Sequence, residues 1–138
     1  MIFCTKGTVV RGFQRGRVIN FKTANLVLSN QDQLEDGVFS GWARVELSGD
    51  VLPAVISYGK NPTFANKSKT LEVHILATFP EDFYGATLYT TIQRRLRSPI
   101  KFSGIEELNA QIKMDIENAQ VDYTEENRKK AELLFEGL

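Results

Sequence analysis

The sequence predicts an all-β core with a C-terminal helical tail, and three observations carry that prediction. Between Gly37 and Leu96, apolar residues recur with period two. Glycines and prolines stand between short apolar runs, as punctuation. Helical spacing of apolar residues starts only after Phe102. About five or six strands followed by one or two helices suggest a closed or nearly closed small barrel, since closure hides the edges that so few strands otherwise expose.

Each element follows from its own pattern. Thr5–Arg11 reads as a first strand and Leu26–Leu28 as a short one. In Gly37–Leu47, Phe39, Ala43, Val45 and Leu47 share one face, and Ser40, Trp42, Arg44 and Glu46 share the other. Ser48-Gly49-Asp50 turns the chain into Val51–Tyr58, where Leu52, Ala54, Ile56 and Tyr58 alternate, so these runs predict an antiparallel hairpin. Pro53 lacks a backbone N–H and predicts an edge or a bulge near that strand's start. In Thr70–Phe79, the apolar face is Leu71, Val73, Ile75, Ala77 and Phe79, with Glu72, His74 and Thr78 opposite. Ala86–Leu96 is rich in Thr, Tyr and Ile and reads as the last strand. Ile105, Leu108, Ile112, Ile116 and Ala119 form one helical stripe, and Ser103 followed by Glu106 matches a capping box. Thr124 is the expected N-cap of a second helix ending before Gly137.

Composition bounds the function. At 138 residues and 42% hydrophobic content the chain is expected to be one domain, 1–138, with a barrel over about 4–100 and a helical tail over about 104–136. Seventeen basic residues balance 17 acidic ones, which argues against a generic nucleic-acid or membrane-surface binder. The one cysteine, Cys4, suits a reducing compartment. No apolar run approaches the roughly 18–20 residues of a membrane span, and Met1–Lys6 shows no signal-peptide core. The expectation is a soluble, cytoplasmic, monomeric domain. The zero charge is a sum of unlike parts: nine of the 17 acids follow residue 100, while Arg11, Arg15, Arg17 and Lys22 cluster early.

Several site types fail on inspection. Gly7 and Gly12 have the glycine spacing of a P-loop, but Phe13 stands where the lysine is required. There is no G-x-G-x-x-G fingerprint, and one His with one Cys makes structural zinc improbable. Two positive features remain. Gly7, Gly12 and Gly16 let backbone approach a ligand closely, and the interleaved Arg11, Arg15 and Arg17 can meet phosphate oxygens. Thr23 and Asn25, two residues apart on an extended chain, present oxygens on one side as ligands for a hard cation. The same residues also fit a glycine-rich turn beside a solvated basic face. The second feature is Glu72, mid-strand and opposite the aliphatic stripe, where a carboxylate can serve as a general base. It also fits a surface glutamate beside a surface histidine.

Read together, these segments resemble the riboflavin kinases, or flavokinases. The resemblance runs in order through Gly7-Thr8-Val9-Val10-Arg11-Gly12, Thr23-Ala24-Asn25-Leu26, Gly37-Val38-Phe39-Ser40-Gly41-Trp42-Ala43 and Ser57-Tyr58-Gly59-Lys60-Asn61-Pro62-Thr63-Phe64. It continues through Leu71-Glu72-Val73-His74-Ile75-Leu76, Asp82-Phe83-Tyr84-Gly85, Leu96-Arg97, Lys101-Phe102 and Asp115-Ile116. In tone it resembles the stand-alone eukaryotic kind, without the adenylyltransferase domain of many bacterial versions. The resemblance implies a six-stranded antiparallel Greek-key barrel and ATP-dependent phosphorylation of riboflavin to FMN. It further implies that Thr23 and Asn25 hold Mg²⁺ on the nucleotide phosphates and that Glu72 is the base for the ribityl 5′-hydroxyl. It makes Gly12 and Gly16 part of a flap over the phosphates. Phe83 and Tyr84 fall on the nucleotide side, and Arg97 and Asp115 belong to parts closing on the flavin.

The sequence departs from the family at the flap, which usually reads Leu-Gly-apolar-Pro-Thr-Ala-Asn. Here Ile19-Asn20-Phe21-Lys22-Thr23-Ala24-Asn25 stands instead. Asn20 tolerates positive φ better than most residues. Lys22 restores a backbone N–H, frees φ and adds a cation near the phosphates. Two outcomes stay open: a working kinase with an altered flap, or a degenerate flavin- or nucleotide-binding module.

Overall fold

The computed structural model describes residues 2–10, 22–27, 34–60, 69–77 and 84–138, with only the backbone of Lys22, Thr23, Val27, Lys60 and Lys69. Six strands, β1 (Phe3–Thr8), β2 (Lys22–Val27), β3 (Gly37–Val45), β4 (Leu52–Lys60), β5 (Lys69–Ile75) and β6 (Thr87–Arg97), precede α1 (Ile105–Ala119), a 3₁₀ turn (Gln120–Asp122) and α2 (Glu125–Glu136). They form one antiparallel sheet in the order β1-β6-β3-β4-β5-β2. The two ends of that order meet where Val10 N–H donates to the carbonyl of Asn25 in β2 at 2.9 Å. This is the expected Greek-key barrel, curled until its end strands touch.

Alternation explains the inside. Ala24, Leu26, Phe39, Ala54, Ile56, Leu71, Val73, Ile75, Leu88 and Ile92 fill the barrel, each 2% exposed or less. Strong coiling needs bulges, and β3 carries two register irregularities against β6. Gly41 lies beside the second, where an added Cβ would stand 2.1 Å from the carbonyl oxygen of Thr91. Only glycine admits strands this close.

The outer face is covered by the tail. α2 lays Ala131 and Phe135 on Trp42 and Tyr89, and α1 brings Ala119 and Ile116 to Val38, Val55 and Leu96. The 3₁₀ turn ties both helices to the sheet. Asp122 accepts from Ser40 at 2.7 Å and from Arg94 at 2.9 Å, and the Tyr123 hydroxyl donates to the Ala54 carbonyl at 2.6 Å.

Four local expectations are corrected. Pro53 lies in a central strand: its carbonyl accepts from Leu76, so its nitrogen faces the β5 side, just past the ladder's last pair, Ala54 with Ile75. Leu47 is exposed, because β3 ends at Val45 and Glu46 takes a positive φ of 58°. α1 is capped by Gly104 without a side-chain bond, and Glu107, not Glu106, accepts from the Ser103 N–H. Ile105 is exposed because the first turn of α1 projects beyond the sheet-packed stretch. Thr124 caps α2 as expected, accepting from Asn127 N–H at 3.2 Å. The predicted positions Thr78 and Phe79 lie outside the described residues.

Candidate functional site

Period two sends Glu72 and His74 out of the barrel, while Leu71, Val73 and Ile75 point in. The surface reading of this pair is corrected, because α1 and the segment after β6 roof over this outer face. Glu72 is 9% exposed and His74 5%. His74 Nε2 lies 3.3 Å from Glu72 Oε1. Antiparallel pairing places Asn25 and Ser57 directly across from Glu72, on β2 and β4, and Thr23 across from His74.

A pocket of about 400 Å³ opens between this face and α1. Glu72, His74, Ser57 and Thr70 line its sheet wall, and Ile100, Phe102, Leu108 and Ile112 give it an apolar side. Asp115 enters from α1. Arg97 Nε and a terminal nitrogen each contact one of its carboxylate oxygens at 2.8 Å, and Gln111 adds a third contact at 3.0 Å. Phe102 lies against the Arg97 guanidinium, 6.0 Å from ring centre to Cζ. A carboxylate base at one end, an apolar wall and a fixed ion pair suit a ligand with a hydroxyl at one end and a flat apolar body.

Asn25 is wholly buried, yet neither its Oδ1 nor its Nδ2 has a hydrogen-bond partner among the described residues. A buried amide left this way costs about 1–3 kcal/mol, so its retention points to a ligand that it waits for. A neutral oxygen beside the row of Glu72 fits a hard cation that brings its own phosphate and water ligands.

The family model described as riboflavin kinase matches residues 2–122. The chain belongs to the riboflavin kinase family. Similar relatives are the riboflavin kinases of Mus musculus, 41% identical over 97% of this chain and 90% of that one, and of Homo sapiens, 43% identical over 86% and 78%. The crystal structure of riboflavin kinase from Trypanosoma brucei shares the fold, with a TM-score of 0.66, 23% identity, and coverage of 93% of this chain and 81% of that one.

Against this family background, the fold brings Glu72, Arg97 and Asp115 to one pocket and sets Asn25 in register with Glu72. Tyr84 packs against the barrel interior, beside the turn whose Gly85 N–H donates to Val9. It is not among the described residues that line the pocket. Gly12, Gly16, Arg17, Asn20 and Phe83 lie outside the described residues, as do the side chains of Lys22 and Thr23. Sequence reasoning passed over the pocket positions of Ser57 and Thr70 and gave His74 no role. The alternation of β4 and β5 places all three on the face of Glu72, and that signal was available.

Proposed function

We propose that this chain transfers the γ-phosphoryl group of ATP to the 5′-hydroxyl of riboflavin, giving FMN and ADP. The observation that carries the reading is Glu72: a buried carboxylate facing a pocket of about 400 Å³ with an apolar wall. Riboflavin lies with its ring system against Ile100, Phe102 and Ile112, held at that end by the Arg97–Asp115 pair, and its ribityl chain runs toward Glu72. The hydroxyl oxygen attacks phosphorus in line, the bond from the γ-phosphorus to the bridging oxygen breaks, and Glu72 takes the hydroxyl proton.

Thr23 and Asn25 are the residues that would hold Mg²⁺, and the buried Asn25 amide, without a partner among the described residues, supports that assignment. When bound, Mg²⁺ neutralises charge on the nucleotide phosphates. Gly12, Gly16, Arg17 and Lys22 cover the phosphates, with Phe83 and Tyr84 on the nucleotide side. Closing the pocket excludes water, which otherwise competes as phosphoryl acceptor. Residues 1–138 act as one monomeric catalytic unit.

The test is incubation with riboflavin, ATP and Mg²⁺, followed by chromatography for FMN. Glu72→Gln is expected to lose about 10²–10⁴-fold in turnover, the usual worth of a general base, while riboflavin still binds. Undiminished FMN formation by that variant removes Glu72 from the mechanism.

A further inference from the structure

We infer that His74 is the positioning residue for the Glu72 carboxylate, fixing its plane before substrate arrives. The inference rests on Glu72 as the base. Residues two apart on a strand stand about 6.6 Å apart along the backbone, so their side chains do not touch by default. Here they lean together, with His74 Nε2 at 3.3 Å from Glu72 Oε1. Both are buried in the pocket wall, and neither side chain belongs to the aliphatic core.

The surroundings explain why a donor is needed at this position. A glutamate has three rotatable bonds, and burial removes the water that would otherwise solvate its oxygens. On β4, Ser57 pairs across from Glu72 and the apolar Val55 across from His74, so His74 is the neighbour that reaches the carboxylate along its own strand. In the inferred arrangement Nε2 carries the N–H that faces Oε1, from the same strand, where the backbone fixes its origin. The carboxylate is then aimed without a reorganisation cost when the hydroxyl arrives. A misplacement of about 1 Å in a reacting group can cost about 10²-fold in rate, which sets the scale of the effect.

The experiment compares His74→Leu, His74→Gln and His74→Asn, each alone and combined with Glu72→Gln, by steady-state FMN formation. Removing the N–H in His74→Leu should lower kcat by about 10–100-fold and leave the riboflavin KM within about threefold. Glutamine places an amide N–H near the position of Nε2 and should recover most of the rate. Asparagine is too short and should not. In the Glu72→Gln background, His74→Leu should cost nothing further, because a residue that acts through Glu72 has nothing left to position. A multiplied loss in that background overturns the role of His74 and leaves Glu72 as base. A Glu72→Gln variant with the parent rate overturns the base reading itself. If His74→Leu does not fold, the Gln–Asn comparison decides: equal rates overturn the inference, and a glutamine-only recovery supports it.

Discussion

Arg97 holds Asp115 through two parallel contacts of 2.8 Å, and Asp115 is 1% exposed. This pair joins the end of β6 to the middle of α1, so it fixes the wall of the pocket as well as a charge within it. Breaking a buried ion pair leaves an uncompensated charge, at a cost of about 3–5 kcal/mol. Arg97 keeps some contact with water, which places Asp115→Ala near the lower end, about 3 kcal/mol. Urea unfolding should show that loss, and the riboflavin KM should rise with it. An unchanged midpoint would mean that the apolar contacts of α1 with Val38, Val55 and Leu96, together with the Asp122 and Tyr123 anchor, hold the helix without this pair.

Asn25 makes the opposite prediction for stability. Its amide is buried and has no partner among the described residues, so Asn25→Val removes an unsatisfied group and adds a β-branched residue to a strand. The ligand-free variant should therefore unfold at a midpoint equal to or above that of the parent. Mg²⁺·ATP at about 100 times its Kd should stabilise the parent by about 2.7 kcal/mol. The variant should gain almost none of this. A destabilised ligand-free protein, or full stabilisation by Mg²⁺·ATP, rules out a waiting ligand position at Asn25.

The fold was legible in the sequence because its signals are local. Alternation in Gly37–Leu47, Val51–Tyr58 and the described part of Thr70–Phe79 assigned inner and outer faces, and among the described residues only the ends went wrong. Leu47 failed because a positive φ at Glu46 ends the strand early, and Pro53 because edge position depends on which ladders form. The site was legible in part. Glu72 stood out against its stripe, but burial of Glu72 and His74 comes from α1, some 30 to 40 positions along the chain, which period two cannot report. Arg97 and Asp115 entered separately, through family resemblance, and their pairing was not foreseen, because no spacing rule joins a strand end to a helix middle.

Tyr123 ties the tail to the barrel and gives the fold an alkaline limit. Its hydroxyl donates to the Ala54 carbonyl at 2.6 Å, and its ring packs edge-on against Trp42 at 5.4 Å. Burial, and then the negative charge of Asp122, push the hydroxyl well above the usual tyrosine range, against smaller opposing effects of the Gly41 N–H and Arg94. The folded state thus favours the neutral phenol. Its contribution is complete below the unfolded pKa of about 10 and is lost as pH rises beyond it. Tyr123→Phe should cost about 1 kcal/mol at pH 7, from the lost hydrogen bond. Above pH 10 the parent should lose stability more steeply than the variant, by up to about 1.4 kcal/mol per pH unit, since one proton fewer is released on unfolding the variant. Urea titrations at neutral pH and at several values above pH 10 measure both effects. Parallel stability curves for the two proteins across that range would show that Tyr123 ionises as freely in the fold as in the unfolded chain.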